Sequence, residues 1–160
     1  MTQARDEADF AARLEQLRRS VDLRLDREVH WFHEGEPFEH PRLIALFDRG
    51  IDAHPETGEP IVHIGDRWCY VRADDTPFIV RRLELAEDGF FAHLNNGERW
   101  AVPAAGFEAR GDHVYVQLDA ARHRWARLDR ATQSRLWGDL DADADPPVVR
   151  NAAGIWPVRA

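Results

Sequence analysis

PIVHIGDRWCYVRADDTPFIVRRLELAEDGFFAHLNNGERWAV (60–102) alternates short runs of β-favouring residues with turn-forming pairs. Strands are predicted over 60–64, 68–72, 78–85, 90–94 and 99–102, each too short for a helix and rich in branched or aromatic side chains. Gly65-Asp66, Asp74 to Pro77, Asp88-Gly89 and Asn96-Gly97 separate them. Asn96-Gly97 is the strongest hairpin indicator, because a tight hairpin turn needs positive φ and both residue types tolerate it. An antiparallel meander is the economical reading of this stretch.

Upstream, Phe10, Leu14, Leu17 and Val21 recur at helical spacing, with Asp and Glu early and Arg18 and Arg19 late, so residues 6–21 read as an amphipathic helix. Val29 to Phe32 reads as a strand entering a turn at Glu34-Gly35 and an extended Pro37-Phe38. A second helix begins at Pro41, presents Leu43, Ile44, Leu46 and Phe47 on one face, and stops at Gly50. Downstream, 113–118 and 125–128 are strands, with Gly111-Asp112 as a further turn. Asp129 caps a helix expected to bury Leu136, Trp137 and Leu140, an acidic linker follows, and a last strand runs from Ile155 to Val158.

Strand, helix, paired strands occurs twice in that order. PIVHIGDRWCYVRA (60–73) lies on PVVRNAAGIWPVRA (147–160) without a gap, matching Pro60 with Pro147, Val62 with Val149, Val71 with Val158, Arg72 with Arg159 and Ala73 with Ala160. With short loop shifts, Leu46 and Phe47 pair with Leu136 and Trp137, and Trp31 pairs with Trp125. The expectation is an α+β fold, an antiparallel-strand-rich core with about three helices and a repeated strand-helix-strand-strand motif. Its parts are an N-terminal helix (1–24), a first lobe (25–104) and a second lobe (105–160), packed as one unit.

Composition narrows the function classes. The 160 residues carry a formal net charge of −8, which repels phosphate backbones and anionic headgroups, so neither nucleic acid nor membrane is expected as a partner. No segment approaches the roughly 18 apolar residues of a membrane span, and the charged N-terminus lacks a signal-peptide core, which points to the cytoplasm. All 21 basic residues are arginine. Schiff-base chemistry, pyridoxal phosphate attachment and Ser-Lys dyads need an amine of tunable pKa, which guanidinium does not supply. The single cysteine, Cys69, excludes an intramolecular disulfide and reads as an inert thiol inside a strand.

His30, His33, Glu34 and His40 invite a metal reading, but His30 and His33 point to opposite faces of a strand and the prolines preclude a helix through them. Asp139, Asp141, Asp143 and Asp145 alternate like the start of a calcium loop. Pro146 then stands where glycine is needed, so a solvated linker is favoured. Asp74-Asp75-Thr76-Pro77 reads as a turn with side-chain to backbone bonds. Neither Ser20 nor Ser134 sits in a nucleophile elbow, and no glycine-rich phosphate loop occurs. No metal or other cofactor is expected. Adjacent pairs such as Trp31-Phe32 and Phe90-Phe91 cannot both face inward on a half-buried strand, so surplus aromatic surface is available for a groove or interface.

Trp31, Phe32, His33, Gly35, Pro37, Leu43, Leu46, Phe47, Asp75, Pro77 and Phe78 form a pattern, WFHxGxP with a leucine-rich helix and a DxPF segment, that resembles the bacterial family called domain of unknown function 1285. The match covers residues 29–80. The resemblance implies an α+β fold with repeated motifs and no assigned activity. The chain departs from the family at Ile64-Gly65-Asp66-Arg67-Trp68, where the family shows Thr-Pro-x-Glu-Lys.

These readings favour a non-enzymatic regulatory or signalling module that binds a small molecule or peptide. Its candidate groove residues are Trp31, His33, Glu34, Phe38, Asp75 and Phe78. The alternatives are a metal-dependent enzyme using His33 and Glu34, or a structural protein that forms homo-oligomers through exposed strand edges.

Overall fold

Local chemistry sets the element boundaries in the computed structural model, which describes residues 2–121 and 123–160. The chain divides into two units, one of residues 1–54 and 59–77, the other of residues 55–58 and 78–160. The division falls between Pro77 and Phe78. Position 104/105, where the sequence reading sets its lobe boundary, lies in a loop joining two strands of a single sheet of the second unit.

The first unit runs α1 (Thr2–Ser20), β1 (Leu23–Leu25), β2 (Trp31–His33), β3 (Glu36–Pro37), α2 (Pro41–Gly50), β4 (Ile51–Ala53), β5 (Pro60–Ile64), β6 (Arg67–Tyr70) and β7 (Arg72–Ala73). Its strands form a four-stranded sheet in the order β3-β2-β1-β7 and a three-stranded sheet in the order β4-β5-β6. Leu23, Leu25, Trp31, Ile51, Ile61 and Val62 make the core. Glu34 and Gly35 both take positive φ, +49° and +80°, which turns β2 sharply into β3. The helix predicted from Pro41 to Gly50 has those bounds, with Pro41 in its first turn and His40 Nδ1 accepting the Arg42 amide hydrogen at 3.2 Å.

α1 buries no residue. It is fastened to β6 by side chains: the Arg18 guanidinium lies 3.8 Å from the Trp68 ring centre and Arg19 lies 3.9 Å from that of Tyr70. Tyr70 Oη donates to Glu15 at 2.6 Å, and both Arg19 terminal nitrogens donate to Glu59 at 3.0 Å. Phe10 and Leu17, on the expected apolar face, are 68% and 64% exposed.

The second unit runs β8 (Phe78–Ala86), β9 (Gly89–Leu94), β10 (Arg99–Ala101), β11 (Phe107–Arg110), β12 (His113–Asp119), β13 (Arg124–Leu128), α3 (Arg130–Trp137), β14 (Leu140–Asp141), β15 (Val148–Asn151) and β16 (Gly154–Arg159). All its strands join one nine-stranded sheet, ordered β10-β9-β8-β13-β12-β11-β16-β15-β14. Asn96-Gly97 makes the β9–β10 hairpin, with Gly97 at φ +90° and the Asn96 side chain accepting the Glu98 amide.

The expected antiparallel meander holds from β8 to β10 and from β11 to β13, but the sheet is mixed. β8 pairs with β13 in parallel, and β11 pairs with β16 in parallel. The first meander ends at an edge, and the free side of β8 is closed by the last strand of the second meander, which runs the same way. Asp129 caps α3 as expected, accepting from the Thr132 amide at 2.8 Å. Leu136 is buried, Leu140 is half-buried, and Trp137, expected inside, is exposed. Adjacent helix positions point about 100° apart, so a two-turn helix lying on the sheet covers Leu136 and leaves its neighbour in water. Phe90 is buried while Phe91 is half-buried beneath the Arg99 guanidinium at 3.5 Å.

The two units contain hairpins of the same register. β5 pairs with β6 as Ile61 with Tyr70 through Ile64 with Arg67, and β15 pairs with β16 as Val148 with Pro157 through Asn151 with Gly154. The Val71 amide donates to the Pro60 carbonyl, and the Val158 amide donates to the Pro147 carbonyl.

Candidate functional site

The β2–β3 turn folds the chain back so that the Phe38 amide donates to the Trp31 carbonyl at 2.9 Å, delivering the Phe38 ring to α2. There it meets Phe47 edge-on at 4.9 Å, and Phe47 meets Trp31 at 5.2 Å. This aromatic group backs an open cleft of about 680 Å³ in the first unit. Val21, Leu23, Phe38, Leu43, Phe47, Ile64 and Cys69 line it, and His33, Glu36, Pro37, Glu39 and His40 supply the rest of its wall. The volume suits a small organic molecule or a few side chains of a peptide. An apolar floor with carboxylates and imidazoles around it favours an occupant with a hydrophobic body and polar or cationic edges.

Of the residues singled out in the sequence, His33 and Phe38 line this cleft. Trp31 stands behind it, 2% exposed, with its indole Nε1 donating to Asp48 at 2.8 Å, and it borders a smaller hollow of about 270 Å³ beyond Phe38. Glu34 occupies the turn and is exposed. Asp75 is outside the lining, with Arg27 at 3.7 Å, and its neighbour Asp74 is held by Arg24 through bonds of 3.0 and 2.6 Å. The Arg24 hydrogen bonds hold the Asp74 carboxyl below its usual range. Phe78 belongs to the second unit, 1% exposed, beneath the Arg124 guanidinium at 4.8 Å. Arg124 also pairs with Glu98, which accepts the Trp100 indole hydrogen at 2.6 Å.

Among the described residues no three His, Cys, Asp or Glu side chains are grouped to hold a metal ion. His30 turns to Asp26 at 3.1 Å, and the Nδ1 of His40 caps α2. In the second unit Asp141 meets Arg150 at 3.5 Å and accepts the Asp143 amide, as a solvated turn would. Cys69 sits in the cleft wall, and partial burial pushes its thiol up from the usual range.

Leu43, Phe47 and Cys69 are the cleft residues that sequence reasoning assigned to packing. The available indication was the apolar face of α2, which is wider than so short a helix needs when it lies against one sheet.

The fold is that of an α+β protein with an open cleft in its first unit and a mixed sheet in its second. Two solved structures are similar: a DUF1285 family protein from Silicibacter pomeroyi DSS-3, at 18% identity and TM-score 0.65 over 88% of this chain and 80% of that one, and a DUF1285 family protein from Shewanella baltica OS155, at 19% identity and TM-score 0.57 over 77% and 95%. At these identities the likeness is one of fold: the chain has the α+β architecture of DUF1285 family proteins, in agreement with the resemblance carried by Trp31 to Phe78. No protein-family model matches the chain. No curated protein matches it either. Among the described residues no helix is long and apolar enough to cross a membrane.

Proposed function

We propose that the chain is a cytoplasmic member of the DUF1285 family that works as a non-enzymatic regulatory module, holding an apolar small molecule or peptide segment in the cleft beside His33 and Phe38. The observation that carries this reading is the cleft itself, about 680 Å³ with an apolar floor of Phe38, Leu43, Phe47 and Ile64. Buried apolar surface there supplies affinity, and His33, Glu36, Glu39 and His40 supply orientation. The test is a fluorescence titration with Nile red, a neutral apolar dye, at nanomolar chain concentration. Saturable enhancement that Leu43→Asp abolishes is expected, because Leu43 is already 39% exposed and its replacement spares the core. Equal enhancement in the variant would place the dye elsewhere and end the proposal.

The two units are also read as copies of one building block. In the first copy the sheets are ordered β3-β2-β1-β7 and β4-β5-β6, with only Val71 separating β6 from β7. In the second, β13-β12-β11-β16-β15-β14 repeats that sequence of neighbours, including the parallel step of β1 on β7 and β11 on β16. Matching hairpin registers support the same alignment. It sets β2 against β12, so Trp31 corresponds to Val114 and no longer to Trp125.

A further inference from the structure

We propose that one face of β6 is a binding site for paired guanidinium groups, filled in this structure by the chain's own Arg18 and Arg19, and that it takes an arginine-rich segment of a partner protein when α1 lifts away. The site is separate from the cleft. Side chains alternate along a strand, so Trp68 and Tyr70 project from one face of β6 while Cys69, between them, lines the cleft on the other.

Trp68 and Tyr70 meet edge-on at 5.3 Å, and the His54 ring adds a third wall, 5.5 Å from Trp68 and 6.0 Å from Tyr70. Grouped aromatic rings offer faces on which planar cations stack, and two cations stack there: the Arg18 guanidinium 3.8 Å from the Trp68 ring centre and Arg19 3.9 Å from that of Tyr70. Glu59 completes the recognition of Arg19. Its two oxygens each accept from one terminal nitrogen at 3.0 Å, the fork-on-fork pairing that a guanidinium makes and an ammonium does not.

The two sides of this contact are unequal. α1 buries no residue, and the side chains of Arg19, Glu15 and Glu59 are 49%, 42% and 41% exposed, so water competes for their bonds and the helix opens at low cost. The receiving side is fixed by backbone pairing: Ile61 opposes Tyr70, His63 opposes Trp68, and the His54 amide donates to the Glu59 carbonyl at 2.8 Å. Glu15, which accepts from Arg19 and Tyr70, belongs to α1 and leaves with it. The rings and Glu59 stay in place, a preorganised site on a chain whose net charge of −8 draws basic segments toward it. Docked α1 competes in cis, so an outside ligand binds in proportion to the fraction of chains in which the helix is lifted.

Nuclear magnetic resonance of the full chain tests this, following the Trp68 indole N–H signal, assigned through Trp68→Phe, during titration with diarginine amide and with dilysine amide. In the double variant Arg18→Gln, Arg19→Gln, diarginine is expected to shift that signal saturably. Its apparent affinity for the unmodified chain should be roughly tenfold weaker, because the cis arginines occupy the site. Dilysine, equal in side-chain charge but unable to pair with Glu59 by a fork, should bind the double variant several times more weakly than diarginine, and adding Glu59→Gln should erase that preference. No shift in the double variant, equal binding of dilysine, or equal affinity in the unmodified chain overturns the proposal. Hydrogen exchange provides a check without the double variant: in Glu59→Gln alone, α1 amides should exchange faster while β5 and β6 keep their protection, and unchanged α1 exchange also overturns it.

Discussion

Replacing Trp31 by phenylalanine removes a ring and one hydrogen bond from the wall behind the cleft while leaving an aromatic group in place. The indole Nε1 donates to the Asp48 carboxylate at 2.8 Å, and hydrogen bonds to charged groups contribute about 1.5–3 kcal/mol. Asp48 is half-buried, so water replaces part of that bond and the lower end applies. The lost ring atoms leave a void beside Phe47, whose ring centre lies 5.2 Å away, adding roughly 1 kcal/mol. Trp31→Phe is therefore expected to destabilise the first unit by about 2–3 kcal/mol, and Trp31→Ala by roughly 3–5 kcal/mol. Urea unfolding followed by far-ultraviolet circular dichroism measures both. A loss below about 0.5 kcal/mol for the phenylalanine variant refutes the reasoning, because side chains outside a packed core show changes of that size.

Gly106 takes φ +73°, and a Cβ there would overlap the carbonyl oxygen of Pro157; Gly106→Ala is expected to destabilise the second unit by roughly 2–4 kcal/mol, from the left-handed backbone and the clash together. Gly97→Ala, at φ +90° with nothing near its Cβ, is the control, costing only the backbone part, about 1–2 kcal/mol. Asp74 is bonded by Arg24 and its carboxyl is held below the usual range, so the folded chain binds fewer protons there than the unfolded one. That stabilisation is present above the unfolded carboxyl pKa near ~3.9 and is lost as pH falls through the lower folded value. The unfolding midpoints of the unmodified chain and Arg24→Leu should accordingly differ at pH 7 and converge in strong acid; a difference that persists there would assign the effect of Arg24 to packing.

Local chemistry made α2 legible to the residue, because Pro41 and Gly50 each act at one position, and it made the β9–β10 hairpin legible through Asn96-Gly97. Strand β1 was not, because Leu23 to Leu25 is three residues among charges and its parallel partner at Arg72–Ala73 lies far along the chain. The parallel pairings of β8 with β13 and β11 with β16 were hidden for the same reason: turn residues announce only connections that close locally. At the cleft, His33 and Phe38 stood out as unusual residues beside a turn. Leu43, Phe47 and Cys69 looked like ordinary core, since pattern reveals which side chains are apolar and not whether a neighbour arrives to cover them.

The nine-stranded sheet ends at β10 on one side and at the two-residue β14 on the other. An unpaired strand edge is a template on which another chain can lay its own backbone, and a sheet this wide would make that template dangerous in a crowded cell. The aspartates that failed as a calcium loop stand at that end, Asp139 and Asp141 on and beside β14, Asp143 and Asp145 just after it, followed by two prolines. Short pairing and charge together make the end a poor template. Asp139 and Asp141 thus place charge at the sheet's shortest edge strand, one of the features by which exposed strand edges are blunted.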